Sequence, residues 1–338
     1  MSPFSGRNGV YLIAEIGGNH EGNFEYAKEL TYLAAESGVD AIKYQIYSGN
    51  TLVNSAYDPD RVKHFDRFAL TRAQYIELAQ LCGSLGVKFM ASVWDIDSID
   101  AINSFSEIFK VGSGDLTAWN LIAKFVSTGK PLILSTGLAT LDEVIATVDF
   151  IKSLDSSYVS EKKIALLQCS SMYPIPDSDA NLNVIHEYMK NFDFCVGYSD
   201  HTEGTEAIYI AAIMGAKIIE VHFTDSRENK SFRDHRVSLT KNEIKEFLQK
   251  MARVGVLQGS RSKQPTTSEV ESGHIVSFRR SVYAKTDIPA GHRIEESDLL
   301  TLRPKTGLGA EKFYSIVGRR TKGPISRLGK FEHDDLIE

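Results

Sequence analysis

Residues 194–224, FCVGYSDHTEGTEAIYIAAIMGAKIIEVHFT, contain two short apolar runs, each followed by or containing a histidine. The first, 194–199, leads into Asp200 and His201; the second, 218–224, carries His222. Between them, residues 203–215 read as a helix that stops at Met214-Gly215. Two strands joined by one helix are parallel neighbours, so their C-terminal ends lie side by side. That places the imidazoles of His201 and His222 on one rim, within reach of a common metal ion. A single strand-end histidine is more often a buried side chain satisfied by hydrogen bonds. A pair on adjacent strands, one preceded by Ser-Asp, points to a site.

Outward from this pair, strand and helix readings alternate from residue 11 to about 258. The strand candidates are 11–17, 41–46, 88–94, 108–113, 131–136, 164–169, 194–199 and 218–224. They alternate only weakly, as expected of strands buried on both faces of a parallel sheet. The intervening segments have the helical period: Leu78, Leu81, Cys82 and Leu85 form one stripe, and Ile244, Phe247, Leu248 and Met251 another. Several stop at glycine, at Gly38, Gly86, Gly129 and Gly215, which is C-cap chemistry. Eight strand–helix units suit a (β/α)8 TIM barrel over 1–259 better than an open doubly wound sheet, and no G-x-G-x-x-G follows the first strand. In such a barrel the chemistry lies at the strands' C-terminal ends.

The polarity shifts after Gly259. Residues 260–275 read as a polar linker, and 276–338 as a small module of extended pieces and turns, with strand-like runs at 278–284 and 299–303. A core of about 60 residues is marginal, so docking on the barrel or on a partner chain is expected. The chain has 338 residues, 42% hydrophobic, with a net charge of -6, and no basic stripe for nucleic acid. No run approaches the roughly 18 apolar residues of a membrane helix, and no signal peptide is visible. Cys82, Cys169 and Cys195 lie in apolar stretches without CxxC spacing. They read as reduced packing residues of a soluble cytoplasmic protein.

The strand ends test the barrel. In order they offer Glu15 with Asn19 and His20; Lys43 and Gln45; Ser92; Lys110, Ser113 and Asp115; Ser135 and Thr136; Gln168, Ser170 and Tyr173; Ser199, Asp200 and His201; and Glu220, His222 and Thr224. Eight polar ends describe a functional rim. Two lysines with Ser113, Ser135 and Ser199 make a multi-donor pocket for a phosphate or carboxylate, and Gly112-Ser113-Gly114 and Thr136-Gly137 let backbone N–H groups approach an anion. Glu15 in an apolar strand requires a partner or a ligand. Its plainer reading is an ion pair with Lys43 or Lys110. A Schiff-base aldolase through Lys43 or Lys110 is an alternative that leaves the histidines unexplained. A Cys-His nucleophile is disfavoured because Cys169 and Cys195 sit inside apolar runs.

The segments Ala14-Glu-Ile-Gly-Gly-Asn-His-Glu-Gly22, Lys110-Val-Gly-Ser-Gly114, Leu134-Ser-Thr-Gly137, Tyr173-Pro174, Gly197-Tyr-Ser-Asp-His-Thr202 and Glu220-Val-His-Phe-Thr224 resemble the sialic acid synthases. The tail, with Ile-Pro-Ala-Gly and Leu-Arg-Pro within 281–304, looks like their antifreeze-like (SAF) domain. The resemblance implies condensation of phosphoenolpyruvate with N-acetylmannosamine or a related amino sugar. It implies that His201 and His222 hold Mn2+, or Mg2+ or Co2+. Lys43, Ser92, Lys110, Ser113, Ser135 and Ser199 would hold phosphoenolpyruvate. Glu15, Gln45, Asp115, Tyr173 and Asp234 would face the sugar and the reacting carbons. It further implies a domain-swapped homodimer in which Arg303 of one chain enters the partner's site. A non-catalytic sugar-binding protein on an inactivated barrel is the alternative outside enzymology, and the intact set of Glu15, both lysines and both histidines argues against it.

Four positions depart from the family pattern. Ala91-Ser-Val-Trp94 stands where Ser-Thr-Pro-Phe is common, Asp115 where Glu is usual, Ser171 where Asn is common, and Ser231-Phe-Arg-Asp-His235 where Gly-Pro-Asp is usual. The changes fall on the sugar side, so the expected acceptor extends to a diacetamido-trideoxyhexose, as for legionaminic or pseudaminic acid.

Overall fold

Buried β-rich runs recurring between helices close on themselves. In the computed structural model, which describes residues 3–337, eight parallel strands form a closed barrel in sequence order. They are β1 (Tyr11–Glu15), β2 (Ala41–Ile46), β3 (Lys88–Val93), β4 (Phe109–Val111), β5 (Leu132–Ser135), β6 (Ile164–Cys169), β7 (Cys195–Asp200) and β8 (Ile218–His222). β8 pairs with β1 to complete the ring. The expected (β/α)8 barrel is therefore the fold. Most strands are shorter than the apolar runs suggested, because the chain leaves the ladder where it turns over the mouth: β1 ends at Glu15, and Gly17 has a φ of 53°.

Successive residues on each strand face opposite sides. Tyr11, Ile13, Ala41, Met90, Ile133, Ala165, Leu167 and Ile218 share one apolar cluster in the barrel interior. Their strand neighbours, such as Leu12, Ala14, Ile42, Ala91 and Val221, pack in the larger cluster beneath the helices. Above the interior apolar residues, the same inward-facing alternation brings Glu15, Lys43, Ser92, Lys110, Ser135, Ser199, Glu220 and His222 to the C-terminal end. The fold thus separates packing from chemistry along each strand.

The helices follow their stripes with one exception. Ile244, Phe247, Leu248 and Met251 are buried on helix Lys241–Gln258. On helix Arg72–Ser84, Leu78 and Cys82 are buried, but Leu85 is the C-cap residue and is exposed, outside the stripe that periodicity gave it. Gly38 and Gly215 close their helices in the left-handed conformation.

The chain divides between Gly259 and Ser260 into two compact units. Much of the second unit's own core comes from Val282, Ala284, Ile288, Ile294, Leu299, Leu308, Ile316, Phe331 and Leu336. Its strand pairs are β9 (Ser281–Ala284) with β10 (Leu299–Leu302), and β11 (Arg320–Thr321) with β12 (Leu336–Ile337), both antiparallel. The polar stretch read as a linker carries helix Thr267–Glu271, capped by Thr266 and Glu269, and runs into helix His274–Ser277. Its capping residues give the segment local structure that its polarity did not suggest.

Gly197 marks where β7 has no room for a side chain. A β-carbon there would lie 2.4 Å from the Ile218 carbonyl oxygen and 2.5 Å from Leu167 Cδ2. Gly197→Ala is expected to destabilise the barrel by about 1–3 kcal/mol through overpacking, read as a lower denaturation midpoint at unchanged slope.

Candidate active site

The register of the barrel assembles the site. Glu15 ends β1 and is paired in register with Lys43 on β2 and with His222 on β8. Gln45 stands opposite Ser92, Ser92 opposite Lys110, and Ser199 opposite Glu220. Lys43 Nζ contacts Glu15 directly, lies 3.8 Å from Glu220 Oε2 and donates to Ser92 Oγ at 3.4 Å. Lys110 Nζ donates to Ser135 Oγ at 2.6 Å and lies 3.6 Å from Glu220 Oε1, which accepts from Ser199 Oγ at 2.9 Å. All four charged groups are buried. Glu220 appeared among the strand ends but had been given no role. It lies between both lysines, and its signal was an acid at an inward position of Ile-Ile-Glu-Val-His.

Burial shifts these groups in ways their neighbours oppose. It pushes the Glu15 carboxyl up to about 7 against the attraction of Lys43. The same burial works against the Lys43 ammonium, but Glu15 and Glu220 outweigh it and hold Lys43 above the ordinary lysine range. The two shifts favour opposite proton states for one contact. The ion pair is the state that the geometry supports, because Lys43 has a carboxylate on two sides. Burial lowers Lys110, with Glu220 opposing, while Glu220 is lowered by the two lysines against its own burial.

Several buried acceptors are left without a hydrogen bond: Glu15 Oε1, Glu220 Oε2 and His222 Nδ1, while Glu15 Oε2 has the Lys43 ammonium as its contact. Unsatisfied buried polar atoms are rare and call for a ligand, ion or water. They converge where the sequence placed substrate. Beside them, Ser113 Oγ accepts from the Gly137 N–H at 3.1 Å. A β-carbon on Gly137 would lie 2.5 Å from Ser171 Oγ and 2.8 Å from Ser113 Oγ, so glycine allows the loops after β4 and β5 to meet. Ser113, Ser135 and Lys110 therefore share one corner of the mouth.

His201 and His222 are both buried, their ring centres 5.3 Å apart. His201 Nδ1 lies 2.7 Å from the Ser170 carbonyl oxygen, which fixes its proton there and leaves Nε2 as the available lone pair. Burial lowers the His222 pKa well below the histidine range, with His201 and Lys43 adding to the effect, so its ring is neutral. Two adjacent imidazoles, that of His222 neutral and with a buried nitrogen lacking a hydrogen bond, fit a divalent cation. At His201 burial is outweighed by Cys169, the Ser170 carbonyl and Asp200, which raise its pKa, so a bound cation would displace a proton there. Among the described residues no set of three or more His, Cys, Asp or Glu is placed to hold a metal, which leaves water and substrate to complete any ligand shell. Cys169 Sγ lies 3.8 Å from His201 Nδ1, closer than its apolar run suggested. That nitrogen is committed to the Ser170 carbonyl, so it is no base for the thiol.

The remaining candidates line the outer mouth. Asp115 is held by the Trp94 indole N–H and Asp234 by Arg233 Nε at 3.2 Å. Asp234 Oδ2 lies 3.8 Å from His222 Nδ1. The Tyr173 ring is 4.1 Å from His201 and 5.5 Å from His222, and the Arg233 guanidinium lies 4.8 Å over it. Gln45 is half-buried near Gly17. The loop after β8 is latched from several sides: Asp225 to Tyr26 and Lys230, Arg227 to Glu243, Arg236 to Glu203, and His235 to Glu21. Asn19 joins the same tie, donating to the Phe223 carbonyl and Ser238 Oγ. Arg303 lies in the second unit, exposed, with its guanidinium 5.4 Å over Phe278.

A profile described as the NeuB family matches residues 30–263, and the SAF domain profile matches residues 279–327. The chain belongs to the NeuB family. Its relatives within NeuB include an N,N'-diacetyllegionaminic acid synthase of Legionella pneumophila, 34% identical across 94% of this chain and 91% of that one. An N-acetylneuraminate-9-phosphate synthase of Homo sapiens is 30% identical across 98% of this chain and 92% of that one. Among solved structures, a sialic acid synthetase of Leptospira borgpetersenii superposes with a TM-score of 0.71 at 27% identity, over 79% of this chain and 91% of that one. The NeuB match spans the strands that carry Lys43, Lys110 and Glu220 and takes in both histidines, while Glu15 on β1 precedes it.

His20 supplies a pH test of the mouth. It is buried, its Nδ1 accepts from the Gly22 N–H at 3.1 Å, and burial lowers its pKa from 6.5 to about 4. The unfolded chain takes up this proton first, so the contribution is intact above pH 6.5 and is lost as pH falls towards 4. The loss is about 3 kcal/mol. Melting temperatures from pH 7 to 4 should fall more steeply in the native chain than in His20→Gln; equal slopes would remove His20 from the acid response.

Proposed function

We propose that this protein condenses phosphoenolpyruvate with the open-chain form of N-acetylmannosamine or a related amino sugar, giving a nine-carbon 2-keto acid and phosphate. The observation that carries this reading is the buried layer in which Lys43 and Lys110, with Ser92, Ser113, Ser135 and Ser199, gather around Glu15, ion-paired to Lys43 with its Oε1 free of hydrogen bonds, beside His201 and His222. The relatives named as N,N'-diacetyllegionaminic acid, N-acetylneuraminate-9-phosphate and pseudaminic acid synthases support the reaction class.

Lys43 and Lys110 offset the donor's phosphate and carboxylate charges, and the four serines orient them. Asp234, Asp115, Gln45 and Tyr173 hold the sugar with its aldehyde carbon towards the histidines. The donor's C3 forms the new bond to that carbon, and the aldehyde oxygen takes a proton to become a hydroxyl. Positive charge develops at C2, which the carboxylate of Glu15 stabilises. Water adds at C2, passing its proton to Glu15. Phosphate leaves as the bond between C2 and the bridging oxygen breaks, the C2 hydroxyl passes its proton to the departing phosphate, and the keto acid remains. His201 and His222 would hold a divalent ion, Mn2+ before Mg2+ or Co2+, whose chemistry when bound is Lewis-acid polarisation of the carbonyl.

The dimer belongs to the same proposal. The exposed Arg303 would complete the site of a second copy, and the second unit would find its docking surface there. The free thiols of Cys82, Cys169 and Cys195 agree with a reducing cytoplasm. No helix among the described residues is long and apolar enough to cross a membrane.

Glu15→Gln should lower kcat at least ~100-fold and leave the KM for phosphoenolpyruvate within threefold of the native value, measured as phosphate release. Substantial remaining turnover would remove Glu15 from the mechanism. His222→Ala should abolish binding of one divalent ion per chain, read by elemental analysis after dialysis against Mn2+; retention of the full complement would relocate the metal.

A further inference from the structure

Six aromatic rings follow one another around one side of the barrel mouth. Trp94, just past β3, lies 5.1 Å from Tyr47, just past β2, ring centre to ring centre, and Tyr47 lies 5.1 Å from Phe65. Phe65 is 5.6 Å from His64, His64 is 5.0 Å from Phe68, and Phe68 is 4.6 Å from Phe232 on the loop after β8. Phe232 in turn presses on Gly18, where a β-carbon would lie 2.8 Å from its ring. The arc therefore runs from β3 past β2 and β1 to the β8 loop, and ends three residues beyond Glu15.

Each end of the arc holds one acceptor-side acid. The Trp94 indole donates to Asp115 Oδ2, and Arg233, next to Phe232, donates to Asp234 Oδ1. The charge of Arg233 is thereby matched, and its guanidinium lies over the Tyr173 ring. Asp115, Asp234 and Arg233 sum to one negative charge at the two ends of the arc. Lys43 and Lys110 are engaged with Glu15, Glu220 and Ser135 on the other. Arg61 and Arg67 are exposed residues of helix Pro59–Phe68, lying over the rings of Phe65 and Phe68 on their own helix. A neutral sugar brings N–H and O–H donors for the two carboxylates, and its methyl and acetyl groups lie against rings. A phosphate ester brings a dianion to two carboxylates and an apolar wall.

We propose that this aromatic arc, with its two clamped acids, selects the acceptor, and that it takes an uncharged, deoxygenated acylamino sugar in preference to a phosphorylated one. The proposal rests on the condensation reading above. Trp94 and Arg233 act as positioning residues for Asp115 and Asp234, and Phe232 as the wall.

The test is phosphate release from phosphoenolpyruvate with three acceptors: a diacetamido-trideoxyhexose, N-acetylmannosamine, and N-acetylmannosamine phosphorylated on its terminal hydroxyl. The native protein should favour the first over the third by ~100-fold in kcat/KM, with N-acetylmannosamine between them. Phe232→Ala and Trp94→Phe should each shrink that preference about tenfold through the acceptor KM, with the KM for phosphoenolpyruvate within twofold. Phe232→Leu, which keeps an apolar wall, should retain it. A native protein that uses the phosphorylated sugar as well as the deoxy sugar overturns the role of the arc while leaving the condensation intact. Variants that slow all three acceptors equally also overturn it. Phosphate release with none of the three removes the condensation reading and the arc's role with it.

Discussion

The contact between Lys43 and Glu15 is the constraint on which the rest of the barrel depends. Each group, alone at that depth, would cost several kcal/mol of desolvation, and removing one strands the other. Glu220 and Lys110 extend the pair into a layer of four, bounded by Ser92, Ser135 and Ser199. Such a layer needs strands in fixed register, because a slip of one residue would turn a charge into the packing beneath the helices. The closed ring supplies that register, and the apolar interior below supplies a floor that excludes water. The layer is not an efficient way to stabilise a barrel. Glu15 Oε1 and Glu220 Oε2, left without hydrogen bonds, are what a partner arriving from solution would satisfy.

Sequence legibility followed the physics of each element. Buried parallel strands announce themselves as short apolar runs, and polar residues at their ends were visible because nothing else in those runs is polar. Strand termini were less legible: the ladder ends where Gly17 and its counterparts bend the chain, which hydrophobicity does not encode. Glu220 was seen and not assigned, since its meaning depends on lysines two and four strands away. The residues of helix Pro59–Phe68 were missed, because His64, Phe65 and Phe68 at helical spacing look like an ordinary buried stripe. Trp94 and Phe232 stand out in the sequence only as departures from the family pattern. Their contact through Tyr47 and that helix exists only in three dimensions. Leu85 failed for the opposite reason: the periodic pattern continued past the last hydrogen-bonded turn.

The second unit illustrates a different limit. Its core residues are spaced by turns rather than by any regular period, and its paired strands are two to four residues long. Composition marked its beginning near Gly259, and local capping chemistry, invisible to a polarity count, shaped the segment that follows.

The latches on the loop after β8 divide the mouth into two electrical environments. Arg236 with Glu203, and Arg227 with Glu243, are solvent-facing pairs of long side chains. Added ions screen such pairs within about 10 Å at 0.1 M. The lysine–carboxylate layer beneath is enclosed, beyond the reach of that screening. Ionic strength therefore acts on the loop that carries Phe232 and Arg233 while leaving the lysine–carboxylate layer under it untouched. One reaction thus has two halves that answer to different media, one to the bulk electrolyte and one to the protein alone.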